Sequence, residues 1–412
     1  MPQLLPLRLR DTVARRAAAQ GDPSGADGTE PVARPSTIGR GADARAAARG
    51  AVAPGTIESG RTETGAIESG AIEPGTPEEV LTESIGVETA AMPALDPELE
   101  RTGPLSIIAP RRIGESDLAV FPLSLGASVF GWTADGDTSL RILDRFARLG
   151  GNFIDTADSY VGGRSEVLIG NWMRERRNRD QVVVATKVGR HHENPGLGSV
   201  SIVRAVEASL ERLQTDHIDL LYFHDDDPEV PLEDSLATVE WLIETGKVRY
   251  LAASNFSADR LIEARILSST GLPKFIAVQT QYNLMHRTEF ESALRIVAAA
   301  QGLAVIPYYA LANGFLTGKY RSKGDLNADA RSIRAAAYVN RKGQRVLAAL
   351  DRIAAEQEVT PASVAIAWLQ AKRNVVAPVA SASRPEQVDA LMVSAGIRLT
   401  RANMLELDRV SE

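Results

Sequence analysis

The sequence predicts an α/β fold in which eight parallel strands close into a barrel ringed by helices, the (β/α)8 or TIM-barrel architecture. Three observations predict it. Eight apolar runs of strand length alternate with amphipathic stretches of helix length. The runs are almost continuously apolar, as strands covered on both faces are. Polar residues stand in a row at the ends of consecutive runs, where a barrel of this kind carries its chemistry. An open doubly wound sheet uses the same alternation, but no Gly-x-Gly-x-x-Gly turn follows any early strand here.

The elements follow in order. Residues 1–103 are Ala/Arg/Gly/Pro-rich to about position 54 and acidic afterwards, with an imperfect repeat of Gly-Thr-Ile-Glu-Ser-Gly, Gly-Ala-Ile-Glu-Ser-Gly and Gly-Ala-Ile-Glu-Pro-Gly. They contain no aromatic residue and keep no apolar period. Such a segment cannot bury enough surface to offset the entropy of ordering it, so a disordered low-complexity extension is expected. The barrel domain is assigned to 111–412. Its first feature, Arg111-Arg-Ile-Gly-Glu-Ser-Asp-Leu-Ala-Val120, has a Gly-Glu-Ser turn between short extended runs and predicts an N-terminal β-hairpin that plugs the barrel bottom. Strands are expected at 123–128, 152–156, 182–188, 218–224, 248–254, 275–280, 303–309 and 375–379. Helices are expected at 138–149, 164–177, 199–213, 233–246, 258–270, 287–301 and 340–372, the last broken at Thr360-Pro361, with another after Arg384-Pro385.

Composition narrows the function. The chain has 412 residues, 44% hydrophobic and 24% charged, which is material for a large core. A formal net charge of −7 gives no electrostatic reason for a nucleic-acid or anionic-membrane partner. With no cysteine, disulfides, thiolate catalysis and Cys-ligated metals are excluded. No apolar stretch reaches the roughly 18 residues of a membrane span, and the N-terminal apolar run is too short for a secretory signal. A cytoplasmic protein, a monomer or weak homo-oligomer acting on a small molecule, is the expectation.

The row of polar residues points to carbonyl reduction. Asp155 ends the second strand, Tyr160 lies on the loop after it, Lys187 ends the third and is the first lysine of the chain, and His224 ends the fourth. A tyrosine is a weak acid, with a reference pKa of about 10, and a nearby ammonium favours its phenolate. A buried lysine needs a paired carboxylate, and an imidazole can orient a carbonyl oxygen. No metal is called for. Later strand ends suit a nucleotide: Ser254 and Asn255 after the fifth strand, Gln279 at the sixth and Tyr308 at the seventh, where amides can meet a carboxamide and a ring can stack. Ser254-Asn255 also reads as an N-cap for the helix beginning near Ala258. The segment from Gly314 to Gly318 is punctuated by glycine and can wrap a pyrophosphate with backbone N–H groups. Trp132, on the loop after the first strand, is a candidate wall of an apolar substrate pocket. The loops at 190–198, 225–230 and 326–339 are further places where specificity is set. The run Asp225-Asp226-Asp227 reads as a solvated loop ahead of Pro228 rather than a cation site.

Taken together, these stretches resemble the aldo-keto reductase superfamily over essentially all of 111–412. The matching segments are Asn152-Phe-Ile-Asp-Thr-Ala-Asp-Ser-Tyr160, Ala185-Thr-Lys-Val188, His217-Ile-Asp-Leu-Leu-Tyr-Phe-His224, Gly246-Lys-Val-Arg-Tyr250, Ser254-Asn-Phe-Ser257, Gln279-Thr-Gln-Tyr-Asn283 and Gly314-Phe-Leu-Thr-Gly-Lys-Tyr320. The pattern is closer to the bacterial and channel-β-subunit-like branch. The resemblance implies an NADP(H)-dependent oxidoreductase with Asp155, Tyr160, Lys187 and His224 as catalytic tetrad and Ser254, Asn255 and Gln279 as carboxamide-binding residues. It further implies that Tyr308 stacks on the nicotinamide and that Leu311, Gly314, Leu316 and Gly318 belong to the pyrophosphate-covering segment. Tyr309-Ala310 replaces the family's Ser-Pro. Arg384 is the candidate for a 2′-phosphate, and Gln387 stands where strict NADPH users have arginine. NADPH is therefore the expected cofactor, with NADH the alternative. Because channel-associated members keep the tetrad, a cofactor-sensing binding module or regulatory subunit is the competing function.

Overall fold

The computed structural model describes residues 108–326 and 330–412, so the extension expected over 1–103 lies outside the described residues. The chain first forms the hairpin: β1 (Arg111–Arg112) pairs antiparallel with β2 (Ala119–Val120), Arg111 opposite Val120. Its Ile113, Leu118 and Val120 are buried in one cluster with the barrel-lining Phe153, Leu220, Ala277 and Ile306, so it closes the end from which the strands start. Gly114 has φ +51°, and a side chain there would begin 2.2 Å from the Ile276 carbonyl oxygen. Only glycine lets the turn approach the sheet so closely.

The barrel begins with β3 (Ser124–Gly126), α1 (Gly136–Arg148), β4 (Phe153–Asp155), α2 (Arg164–Arg176) and β5 (Val183–Val188). A small antiparallel pair, β6 (Arg190–His191) and β7 (Asn194–Pro195), rises from the end of β5. Next come α3 (Ser199–Leu213), β8 (Ile218–Phe223), α4 (Leu232–Glu244), β9 (Val248–Ser254), α5 (Ala258–Ser268) and β10 (Phe275–Gln281). A π-turn (Phe290–Leu294) leads into α6 (Arg295–Ala300), followed by β11 (Ala304–Tyr308), α7 (Ala330–Ala335), α8 (Arg341–Glu356), α9 (Pro361–Gln370), β12 (Val379–Ala380), α10 (Glu386–Val393) and α11 (Arg401–Val410). Eight strands form one sheet in the order β11-β10-β9-β8-β5-β4-β3-β12, each neighbouring pair parallel. A bridge from Val305 to Val375 joins the eighth strand region to β11, which brings the sheet round on itself. The fold is the expected barrel. Helix faces pack on its outside through Phe146, Trp172, Trp368 and many aliphatic residues.

Local chemistry sets the boundaries. Asp135 caps α1 by accepting from the Thr138 N–H, and Thr360 caps α9 at the Ser363 N–H with Pro361 in the first turn. Three expectations are corrected. The eighth strand does not run over 375–379: Pro378 has no N–H to give to a ladder, and regular pairing is confined to Val379 and Ala380. The helix expected at 287–301 is broken at Ser292, whose ψ of −138° is not helical. The final helix α11 was not expected, although Thr400 and Asn403 cap it reciprocally, which is a signal carried by the sequence.

Candidate active site

The barrel brings the four polar residues together at the ends of β4, β5 and β8. Neighbouring parallel strands run in register here, Asp155 beside Ala185 and Lys187 beside Tyr222, so residues distant in sequence share one rim. Lys187 is buried, 1% exposed, and its ammonium donates to Asp155 Oδ1 at 2.6 Å and to the Thr156 carbonyl at 2.8 Å. Its Nζ lies 5.2 Å from the Tyr160 ring centre and 5.4 Å from that of Tyr222. Burial works against the charge on Lys187, but Asp155 first and then Tyr160 outweigh it and raise its pKa. The second oxygen of Asp155 accepts from Gln279 Nε2 at 2.7 Å. One carboxylate thus holds both the cation and the amide.

Tyr160 stands edge-on to His224, ring centres 6.1 Å apart. Burial pushes its phenol above the ordinary tyrosine value, with Lys187 pulling the other way. The expected lowering by the ammonium is therefore present but is outweighed by loss of solvent. His224 is pushed down to about 2 by burial and by the cations Lys187 and Arg190, so its imidazole is neutral, and its Nδ1 has no hydrogen-bond partner.

The residues expected around a nicotinamide divide into two groups. Ser254, Asn255, Gln279 and Tyr308 cluster on one side of the tetrad. Asn255, in the left-handed region at φ +59°, donates to the His224 carbonyl at 2.9 Å and accepts from the Tyr308 hydroxyl at 2.9 Å. It is not the cap of α5, a role taken by Ser257 through the Arg260 N–H. Gln279 is fixed by its amide nitrogen on Asp155. The second group lies further along the rim. Gly314 (φ +89°) and Gly318 (φ +81°) shape a tight turn, but the N–H groups of Gly314, Leu316 and Gly318 already bond to the carbonyls of Leu311, Leu311 and Phe315. The Leu316 side chain is buried in the core. Arg384 is exposed, and Gln387 Oε1 accepts from the Ser383 N–H at 2.8 Å, fixing the turn after β12. Trp132 is 54% exposed and belongs to the outer rim.

Comparison with known proteins gives the family. The model of the aldo/keto reductase family matches residues 122–412. The chain belongs to that family. Among its relatives, it is 33% identical over 291 residues to a probable voltage-gated potassium channel subunit beta of Oryza sativa subsp. japonica, covering 68% of this chain and 88% of that one. It is 31% identical to a norsolorinic acid reductase of Aspergillus flavus, over 70% of this chain and 77% of the other. An aryl-alcohol dehydrogenase of Pestalotiopsis microspora is 29% identical over 75% of this aldo/keto reductase and 84% of its own length. Membership makes the chain one of a family of oxidoreductases. Among the described residues no helix is long and apolar enough to cross a membrane, and no three His, Asp or Glu side chains are grouped to hold a metal ion.

Sequence reasoning missed two features of the site. Asp158, between Asp155 and Tyr160, is 1% exposed with no side-chain partner, and burial together with Glu166 raises it to about 7. The acidic run after His224 is a part-exposed loop, as expected, but its carboxylates are partnered. Asp225 binds Arg190, Asp226 binds Arg260, and Asp227 accepts from the Leu197 N–H. No local signal reveals these partners, since each lies about thirty or more positions away along the chain.

Proposed function

We propose that this aldo/keto reductase reduces an aldehyde or ketone to the alcohol, using NADPH, with Tyr160 as proton donor. The observation that carries the reading is the buried Lys187 ammonium, fixed by Asp155 and Thr156 against the Tyr160 ring. Burial keeps the Tyr160 proton in place until it is called for. As the proton leaves, the ammonium stabilises the phenolate that remains, an interaction stronger in the transition state than before it. Neutral His224 orients the carbonyl oxygen without competing for the proton. When bound, the reduced nicotinamide supplies the hydride. Gln279 and Ser254 would hold its carboxamide, Asn255 would brace that pair, and Tyr308 would offer the stacking face. The segment containing Leu311, Gly314, Leu316 and Gly318 would cover the pyrophosphate, Arg384 and Gln387 would flank the 2′-phosphate, and Trp132 would wall the substrate.

Purified full-length protein is expected to oxidise NADPH continuously with aromatic aldehydes or diketones, and less efficiently with NADH. Tyr160→Phe should lower kcat by about 10²- to 10⁴-fold. Undiminished activity in that variant would overturn the proton-donor assignment. The similarity to channel subunits favours a second reading, a cofactor-sensing regulatory subunit. A single turnover per bound cofactor, in place of sustained turnover, would support it.

A further inference from the structure

We propose that Arg190, held by Asp225, is a specificity-determining residue that receives an anionic group, a carboxylate, on the carbonyl substrate. The proposal rests on the carbonyl-reductase reading and names its substrate class.

Position comes first. Arg190 lies three residues beyond Lys187, and Asp225 directly follows His224, so their pairing spans the two strand ends that carry the tetrad's cation and imidazole. The positive charge of Arg190 is felt by Tyr160, Tyr308 and His224, which surround the space assigned to the carbonyl and the nicotinamide. The strand register puts the exposed guanidinium on the same rim as Lys187 and His224.

The bonding pattern is the second argument. Nε of Arg190 donates to one oxygen of Asp225 and Nη2 to the other, so Asp225 occupies the side edge of the guanidinium. A guanidinium has two carboxylate-binding edges. The end edge, with Nη1 and the second proton of Nη2, has no hydrogen-bond partner among the described residues, and the side chain is 47% exposed. An arginine fixed in this way presents a ready fork to a second carboxylate at little further entropic cost.

Rigidity is the third. Arg190 opens β6, which pairs with β7 through Arg190–Pro195 and His191–Asn194. The Gly196 N–H returns to the Gly189 carbonyl at 2.9 Å, and Asp227 ties Leu197 down at 2.8 Å. Arg260 holds Asp226 from α5. The loop carrying the cation is thus braced by its own strand pair and by Asp227, and the loop carrying Asp225 by Arg260. The chain's net charge of −7 also gives an anionic substrate no general attraction, so a local cation must supply it.

The test compares an acid with its neutral ester: 4-carboxybenzaldehyde and methyl 4-formylbenzoate, assayed with NADPH and full-length protein. Arg190→Gln should lower the acid-to-ester ratio of kcat/KM by about ten- to hundredfold, mainly through KM for the acid. Arg190→Lys should recover part of the ratio, since it restores charge but not the fork, and Asp225→Asn should lower it by a smaller factor. A ratio that stays at the wild-type value in Arg190→Gln overturns the proposal, whether or not both rates fall together, and leaves the pair as a loop clamp. Turnover of neither aldehyde by wild type would instead count against the reductase reading. In that case calorimetry of 4-(hydroxymethyl)benzoate with the NADP⁺ complex decides: tenfold weaker binding to Arg190→Gln supports the assignment, and equal binding overturns it.

Discussion

The two ends of this barrel use the same ingredients to opposite effect. At the end where the strands start, Asp219 is buried and saturated. Its Oδ2 accepts from Arg179 at 2.8 Å and from the Val184 N–H at 2.9 Å, and its Oδ1 from Arg249 at 2.7 Å. Arg249 also reaches Asp117 of the hairpin, so the network fastens the plug to the sheet. At the opposite end Asp155 is equally buried, but its two oxygens are divided between the Lys187 ammonium at 2.6 Å and the Gln279 amide at 2.7 Å, with Asp158 and His224 also buried nearby. One end is a finished structural joint. The other gathers several buried titratable groups, Asp155, Asp158, Lys187 and His224, in one place, a grouping that a structural joint does not need.

Substitutions can sharpen or break this contrast. The largest effect is expected from Lys187→Met, which leaves Asp155 buried without its cation. A loss of about 3–5 kcal/mol in denaturant unfolding should accompany loss of turnover. Retention of both would refute the idea that this ion pair organises the rim. Next is Asp158→Asn, for which pH gives the discriminating readout. Asp158 is raised from 3.8 to about 7, so the folded protein binds more protons than the unfolded chain between those values. Its stabilising share is complete below pH 3.8 and is lost as pH rises through 7. The variant should therefore gain stability relative to wild type between pH 4 and pH 8, on the order of 1–3 kcal/mol, and a pH-independent difference would count against the buried acid. The smallest change belongs to the other end. Asp219→Asn should cost about 1–3 kcal/mol, with kcat and KM unmoved. A change in kcat there would show that the ends are coupled after all.

How legible all this was in the sequence depended on the range of the signal. The clustering of Asp155, Tyr160, Lys187 and His224 could be read because each stands at or just past the end of an apolar run, and the barrel converts that periodic position into proximity. The hairpin was legible from one turn, Gly-Glu-Ser, whose glycine proves to be required by contact with Ile276. The eighth strand was misjudged because apolarity at Val375, Val376 and Ala377 outweighed the proline that follows them. The Arg190–Asp225 pair was invisible, since exposed ion pairs obey no period and their partners are chosen by loops. Asp158 was in plain view within the second-strand motif, but no pattern of residue types discloses that a carboxylate will be buried without a cation of its own.

The division of labour at Asp155 has a consequence for precision. One of its oxygens fixes Lys187 and, through it, Tyr160, while the other fixes the Gln279 amide. On the function proposed above, proton delivery and placement of the cofactor ring are thus measured from a common origin. Two independently mounted groups would drift separately with every thermal displacement of their strands. Here a shift of the reference point carries both along together, so the offset between them is preserved even when the rim as a whole moves.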